Sequence, residues 1–463
     1  EIVVRIVGSE MCIRDRIKAA GDPNCLLNLG NGVCAASDSS GNYTHNWNGQ
    51  RDILGAVQRH NLFVFLNHDL GDGRELFAEY GQYQSEYNGN RHSVSHFSSV
   101  KFVVPATNPY NFTGKALLMD NYRFVDAGAR VVDNDKQTDR YLVGVRGQTD
   151  DGWDWESAAS YSVAEAFDVT HNRVSNTLMD ALLHRTDETA YNPFNGGGVY
   201  QTGFVSHNPV DYTPGGIGPA LVDAYRANER TMTTLDFRMS KPDVFTITGG
   251  DVGMAFGVEA RNDTFMDDRD PRLDGTIVFT ERRTNGQLST SAGDTYPYVS
   301  DLANSSPTPD NDGARNVNSV YLELDVPLVS PEMNIPVVEQ FDLQLAYRQE
   351  AYSDFEGTGV PRVAFGWVVN DILKIRGSQQ DTFRAPNMIT INEQMVVRNN
   401  TRNDAATLYA VGLGIDTDDS DGRYSVQRQA MGSSKLIAEE SENSTVGLVL
   451  QPTDNLTITY DVW

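Results

Sequence analysis

Two short passages hold the side chains best suited to gripping a small molecule. They are Asn108-Pro109-Tyr110-Asn111 and Asn192-Pro193-Phe194-Asn195, the second preceded by Tyr191. Each sets an aromatic platform beside amides, the mixture of apolar surface and placed hydrogen bonds that ligand pockets use. On that reading Asn108, Tyr110, Asn111, Tyr191, Asn192 and Phe194 are ligand contacts on loops. The residues have a plainer use as well, since Pro and Asn fix turns and aromatics pack loops. Catalytic chemistry finds no constellation: the eight His are scattered, with no HExxH, no CxxC pair and no GxSxG elbow. No enzyme activity, cofactor or metal site is expected. The acidic run 416–422 (DTDDSDG) has the composition of a calcium loop, but Thr417 occupies the first-ligand position and no Glu closes it. It reads as a solvated acidic loop. Cys25 and Cys34 lie close together in a Gly- and Asn-rich segment; a small loop disulfide would suit an oxidising compartment, and two unpaired thiols are the alternative.

These residues need a scaffold, and composition restricts which one. The 463 residues carry 37 Lys and Arg against 63 Asp and Glu, a net charge of -26, so a nucleic-acid partner is not expected. Mean hydropathy is -0.43, and no apolar run approaches the roughly 18 residues of a spanning helix. Neither fact argues against a β-barrel, whose lumen and loops are polar. Twenty Tyr and 40 Gly, with many Asn and Asp, suit strands joined by turns.

Period-two alternation identifies the strands. Around the turn Asp150-Asp151-Gly152, Asp139–Thr149 and Trp153–Ala166 form a hairpin. Trp153, Trp155, Ala159, Tyr161 and Val163 lie on one face, and Asp154, Glu156, Ala158, Ser160 and Ser162 on the other. A greasy face opposite a wet one, over about the 9 to 11 residues of a tilted bilayer crossing, is the pattern of a transmembrane barrel strand. Further pairs are expected at Arg59–Asp69 with Glu75–Tyr87, Arg230–Ser240 with Val252–Phe265, and Val317–Leu328 with Val337–Tyr352. Two more are Pro361–Val369 with Ile372–Phe383, and Glu442–Leu450 with Leu456–Trp463. Val252, Met254, Phe256 and Val258 then face lipid, and Gly253, Ala255, Gly257 and Glu259 the lumen. Lys374, Arg376 and Arg384 share one face of their strand, where they line the lumen and pair with plug or lumen carboxylates; a purely structural salt-bridge role is the alternative. Tyr122–Val132 also alternates, but counting it as a crossing would put long loops on the short-turn side; it is assigned to an outer loop as a β extension. Ile17–Gln58 lacks periodicity and reads as loop. Ser175–Leu183, with Leu178 and Leu182 on one face, reads as a short helix. The result is an all-β, antiparallel transmembrane barrel portion of about twelve strands, with six short turns and four outer loops beyond about 50 residues, lengths uncommon in compact soluble domains.

From Cys25 onward the chain resembles the barrel of TonB-dependent outer-membrane receptors. The resemblance rests on ATNPYNF (106–112), YNPFN (191–195), GGDVGMAFGVEAR (249–261), VYLELDVPLV (320–329), YRQEAYSDF (347–355), TFRAPN (382–387) and 441–463, in the family's order. It implies an active importer in the outer membrane of a Gram-negative bacterium, embedded in outer-membrane lipid. Outer loops bind a nutrient of the siderophore, saccharide, cobalamin or peptide class, small or oligomeric, and the TonB complex transmits energy from the inner-membrane proton gradient. Some features depart from the family. Phe112 follows Asn111 where the family often has Pro, the plug and TonB-contacting box are absent, and the chain stops at Trp463 inside a strand motif. Family barrels resemble transporters of about 22 strands, so 17–463 is expected to be a fragment lacking the plug and C-terminal strands. Residues 1–16 resemble an adapter-derived, non-native leader, a short native strand being the alternative. Two other functions fit the same alternation: a passive porin or adhesive barrel, and a secreted β-rich carbohydrate-binding or hydrolytic protein.

Overall fold

The structure, a computed structural model, describes residues 17–19, 27–30, 33–35, 51–95, 102–119, 122–193, 215–282, 288–289, 299–403, 405–413 and 423–463. Twelve long strands form one antiparallel sheet in which every neighbour in space is also the neighbour in sequence. They are β1 (Ala56–Gly71), β2 (Arg74–Arg91), β3 (Arg130–Gln148), β4 (Asp154–Val174), β5 (Leu221–Ile247) and β6 (Gly250–Arg269). The second half comprises β7 (Asn311–Val329), β8 (Gln340–Tyr352), β9 (Thr358–Asn370), β10 (Leu373–Arg384), β11 (Glu439–Thr453) and β12 (Leu456–Val462). The sheet is open, with β1 and β12 at its edges.

Local chemistry explains the tight turns. Between β1 and β2 both central residues, Asp72 and Gly73, have positive φ (53° and 69°), the backbone of the primed hairpin turns that match strand twist. Between β9 and β10 the Asn370 side chain accepts from the backbone N–H of Ile372 (3.0 Å) and Leu373 (2.9 Å). This is the local side-chain-to-backbone bonding that favours Asn in turns. Pro242 lies where the β5–β6 register shifts between Lys241 and Phe245, a position that tolerates its missing donor.

The register carries two distinct faces across the sheet, because directly opposed residues share a side. One runs through Val64, Tyr80, Tyr141 and Tyr161, then Phe237, Val258 and Val320. It continues through the pairs Leu322–Tyr347, Leu343–Phe365 and Ile375–Leu448–Tyr460. Many of these are exposed large apolar side chains, Val258 at 49% and Val320 at 52%, an arrangement suited to hydrocarbon rather than water. The opposite face carries charge. Val252 is an exception to the expected lipid row, being 1% exposed; it sits opposite Phe245, beside the β5 irregularity.

The main packed core lies among the connections at one end of the sheet. Phe102, Leu117, Met119, Phe124, Met179, Leu182, Leu183, Tyr191, Ile217, Phe279 and Val299 come from three different excursions and form one hydrophobic cluster. The helix α1 (Asn176–Leu183) contributes three of these residues, Met179, Leu182 and Leu183, and Ser175 caps it by accepting from the Leu178 N–H.

Several expectations change. The strands extend well past their expected limits, β5 reaching 27 residues, more than twice the roughly 9 to 11 that cross a bilayer. The excursions 92–129, 175–220 and 270–310 are correspondingly shorter, and each contributes described residues to the packed core. Tyr122–Val132 is no separate β extension: Val125–Ala127 is a 3-10 turn, and β3 begins at Arg130. Within the expected loop 17–58, strands 17–19, 33–35 and 27–30 form a small sheet in that order, and β1 starts at Ala56. Val337 precedes β8 rather than opening it, since its φ of 60° is incompatible with a strand. Residues 1–16, Cys25 and the run 416–422 lie outside the described residues, so the leader, the Cys25–Cys34 pairing and the calcium question do too.

Candidate ligand face at the loop end of the sheet

The first of the two loop motifs is woven into the cap. Asn108 is 2% exposed, and its amide donates to the carbonyls of Leu183 (2.9 Å) and Tyr191 (3.2 Å). Its carbonyl oxygen accepts from the Tyr110 N–H at 3.0 Å. Asn111 donates to the carbonyls of Val104, Pro105 and Lys115 (3.3, 3.0 and 2.8 Å). The Tyr110 hydroxyl reaches across to the Glu188 carbonyl at 2.7 Å. Tyr191 is fully buried, its hydroxyl 3.0 Å from that of Tyr122 and donating to Asp126 at 3.1 Å. Asn108 and Tyr191 thus tie one excursion to another, while Asn111 braces the turn of its own. Tyr110 and Asn192 keep part of their surface exposed. Phe194 lies outside the described residues.

Asp126, at the centre of this knot, is 0% exposed. Burial pushes its carboxyl up to about 7 despite the Tyr191 hydrogen bond, which acts the other way. The Tyr122 and Tyr191 hydroxyls are pushed further up by the same burial. A second knot fixes the start of α1. Asp301, fully buried, accepts from Ser175 Oγ (2.6 Å) and the Thr177 N–H (2.9 Å) and pairs with Arg272.

On the charged face of the sheet, cross-strand pairs recur: Arg140–Glu79 (2.9 Å), Arg146–Glu75 (2.6 Å), Arg238–Glu156 (2.6 Å) and Arg376–Asp461 (2.7 Å). Glu75, Arg146, Glu156, Arg238 and Tyr321 line a cavity of about 620 Å³ near the short turns. Glu259 lies 3.8 Å from Arg261 on the same strand face. The Tyr321 ring covers the neighbouring Gly257, which explains why small residues precede Glu259. Lys374 and Arg376 share this face, with Lys374 against Gly366, and Arg384 is 3.7 Å from Glu439 at the end of β10. Exposed pairs of this kind contribute only about 0 to 1 kcal/mol each, so their weight is in charge pattern rather than stability.

One site was not singled out from the sequence. Arg315 on β7 grips Asp354 with Nε and a terminal nitrogen (2.9 and 2.8 Å), and the same nitrogen donates to the Pro386 carbonyl (2.8 Å). Its guanidinium lies over the Tyr352 and Phe355 rings, 5.5 and 5.1 Å from their centroids. The stretches 347–355 and 382–387 therefore meet on this arginine. The signal available in the sequence was those two stretches, and nothing in their spacing points to a partner so far upstream.

Residues 171–463 match the family described as TonB dependent receptor-like, beta-barrel. Solved structures similar to the chain include the siderophore receptor PirA from Pseudomonas aeruginosa (12% identity, TM-score 0.39, 88% of this chain and 51% of that one). Another is the alcaligin outer-membrane receptor FauA from Bordetella pertussis (10%, 0.39, 88% and 53%). A third is the RagAB peptide importer in its open-open state (11%, 0.45, 88% and 39%). The chain spans about half the length of the first two and less of the third. No curated protein matches it.

Proposed function

The chain belongs to the TonB-dependent receptor β-barrel family, and from that premise we propose that it forms part of an active outer-membrane importer in a Gram-negative bacterium. The match over residues 171–463 carries this reading. The two faces of the sheet agree with it: the apolar one meets outer-membrane lipid, while the charged one lines a passage. In this reading the cap over the loop end captures a nutrient of the siderophore, saccharide, cobalamin or peptide class, and the TonB complex supplies the energy for its release inward. Tyr110, Asn192 and Phe194 are the motif residues we assign to ligand contact. Glu259, Lys374, Arg376 and Arg384 are assigned to the lumen wall, where their charges balance carboxylates and guanidiniums of the barrel and its contents.

The test is growth on candidate nutrients by strains lacking this gene, lacking TonB, or lacking both. Import through this protein predicts that the two single deletions lose the same nutrient and that the double deletion is no worse. A passive porin or adhesive barrel would leave growth indifferent to TonB, an outcome that removes the importer reading.

A further inference from the structure

Three strands carry an arginine at or beside their terminus at the loop end of the sheet. Arg91 closes β2 and Arg130 opens β3, and the two are direct cross-strand partners. Arg173 stands next to last in β4. Like charges directly opposed destabilise a sheet, and buried charge is normally paired. Here neither condition is relieved among the described residues: no carboxylate lies within ion-pair distance of Arg91, Arg130 or Arg173. Arg130 Nε donates to the His92 carbonyl at 3.0 Å, and a terminal nitrogen of Arg173 donates to Ser305 Oγ at 2.6 Å. Arg173 Nε is buried and has no hydrogen-bond partner among the described residues.

The electrostatic surroundings agree. Burial, then the guanidiniums of Arg91 and Arg123, pull Arg130 down to about 10, and burial with Arg130 and Arg91 does the same to Arg173. Both stay protonated at neutral pH. Asp168 is a carboxylate in this field, influenced by Arg226, Arg91 and Arg269. Arg226 and Arg269 are themselves held by Asp267 (2.6 Å each). The result is a concentration of positive charge in a chain whose net charge is -26. Arg91 is exposed, and it shares a face with Glu75 and Glu79, the charged side of β2. Arg91 therefore opens the group to that side, while Arg130 and Arg173 are partly buried.

We propose that Arg91, Arg130 and Arg173 form an anion-binding subsite that receives a carboxylate or phosphate group of the imported molecule. Guanidiniums present planar forks that match both oxyanions, and a bound oxyanion would supply the acceptor that Arg173 Nε lacks. The inference rests on the import reading and narrows it to cargo bearing such a group.

Calorimetric titration at low salt tests it, using the receptor extracted from outer membranes in detergent, with inorganic phosphate and citrate as probes. Saturable binding of either probe is expected, about tenfold weaker in Arg91→Gln and in Arg130→Gln, the effect of one lost charged hydrogen bond. Arg91→Gln alters an exposed side chain, so its effect is separable from misfolding. Response to phosphate alone assigns a phosphoryl group, and response to citrate a carboxylate. Absence of saturable binding by both probes, or binding unchanged in both variants, overturns the subsite. Anion binding that survives while TonB-independent growth is found would instead remove the import reading and leave the subsite standing.

Discussion

Asp126 is a carboxyl group sealed in an apolar cap, and its chemistry makes the cap sensitive to pH. Its folded value of about 7 lies above the ordinary aspartate range near about 3.9. Between those values the native state keeps a proton that the unfolded chain has released, so stability falls as pH rises through the window and levels off above it. Asp126→Asn should remove this dependence, which amounts to about 1.4 kcal/mol per pH unit inside the window. Hydrogen exchange of cap amides, corrected for intrinsic rates, should show wild type loosening from pH 5 to pH 8 and the variant unchanged; parallel behaviour would refute it. Arg315 gives a second test at this scale. Its side chain is 8% exposed and that of Asp354 16%, so Arg315→Ala leaves a largely buried carboxylate alone. The expected cost is about 3 to 5 kcal/mol, measured as thermal or denaturant stability in detergent. Arg315→Lys should recover only part, because it keeps the charge and loses the fork. Full recovery would show that the planar contacts to Tyr352, Phe355 and Pro386 are dispensable.

At the scale of elements, strand existence and facing were legible because period two is a strong local signal, whereas strand ends were not. The alternation around Val258 and Glu259 placed those side chains on opposite faces, and the β6–β7 register does so too, opposing Val258 to Val320 and Glu259 to Ser319. Outside the apolar belt the face toward water and the face toward the lumen are both polar, so alternation fades while the ladder continues. This is why β5 and β3 run on beyond their expected limits. The cap was hidden for a different reason: its core joins residues as distant as Phe102 and Phe279 (centroids 5.7 Å apart), and no local period records such a contact. Likewise Asn108 and Asn111 were recognised as placed amides, but only the fold reveals that their partners are loop carbonyls. Val258→Arg should cost up to about 2 to 4 kcal/mol if the site lies near the bilayer midplane, and less near an interface. Glu259→Arg should fold nearly as well, losing one long contact with Arg261. Nitroxide labels at the two positions in bilayers discriminate further. The label at 258 should be relaxed by oxygen and the one at 259 by a polar nickel reagent or by neither; a reversed pattern would invert the sheet.

For the whole molecule, the two edges of the sheet set the behaviour of this chain by itself. Consecutive antiparallel strands leave β1 and β12 each with one neighbour, and an unpaired edge presents a row of backbone donors and acceptors to any other strand. Neither edge strand carries Pro or Lys, two of the residues that protect an edge. β12 reads LTITYDV, a short apolar β-former with one charge, and β1 exposes Leu62, Phe63, Val64, Phe65 and Leu66 in sequence. Beside these edges lies an outward face of large exposed apolar side chains, which in water is a further drive to association. The cap core does not offset this, since none of its described residues belongs to β1 or β12. The 463-residue chain, refolded without detergent, should therefore associate into polydisperse species by light scattering. Detergent or lipid should reduce association through the apolar face while leaving edge pairing, seen as residual dimers or larger oligomers. Introducing charge on the outward side of β12, as in Ile458→Lys, should lessen association less than detergent does, because it leaves the edge hydrogen bonds in place. A monodisperse monomer in plain buffer would contradict both halves of this argument, requiring closed edges and an apolar face turned inward, and the membrane assignment of the sheet would fall.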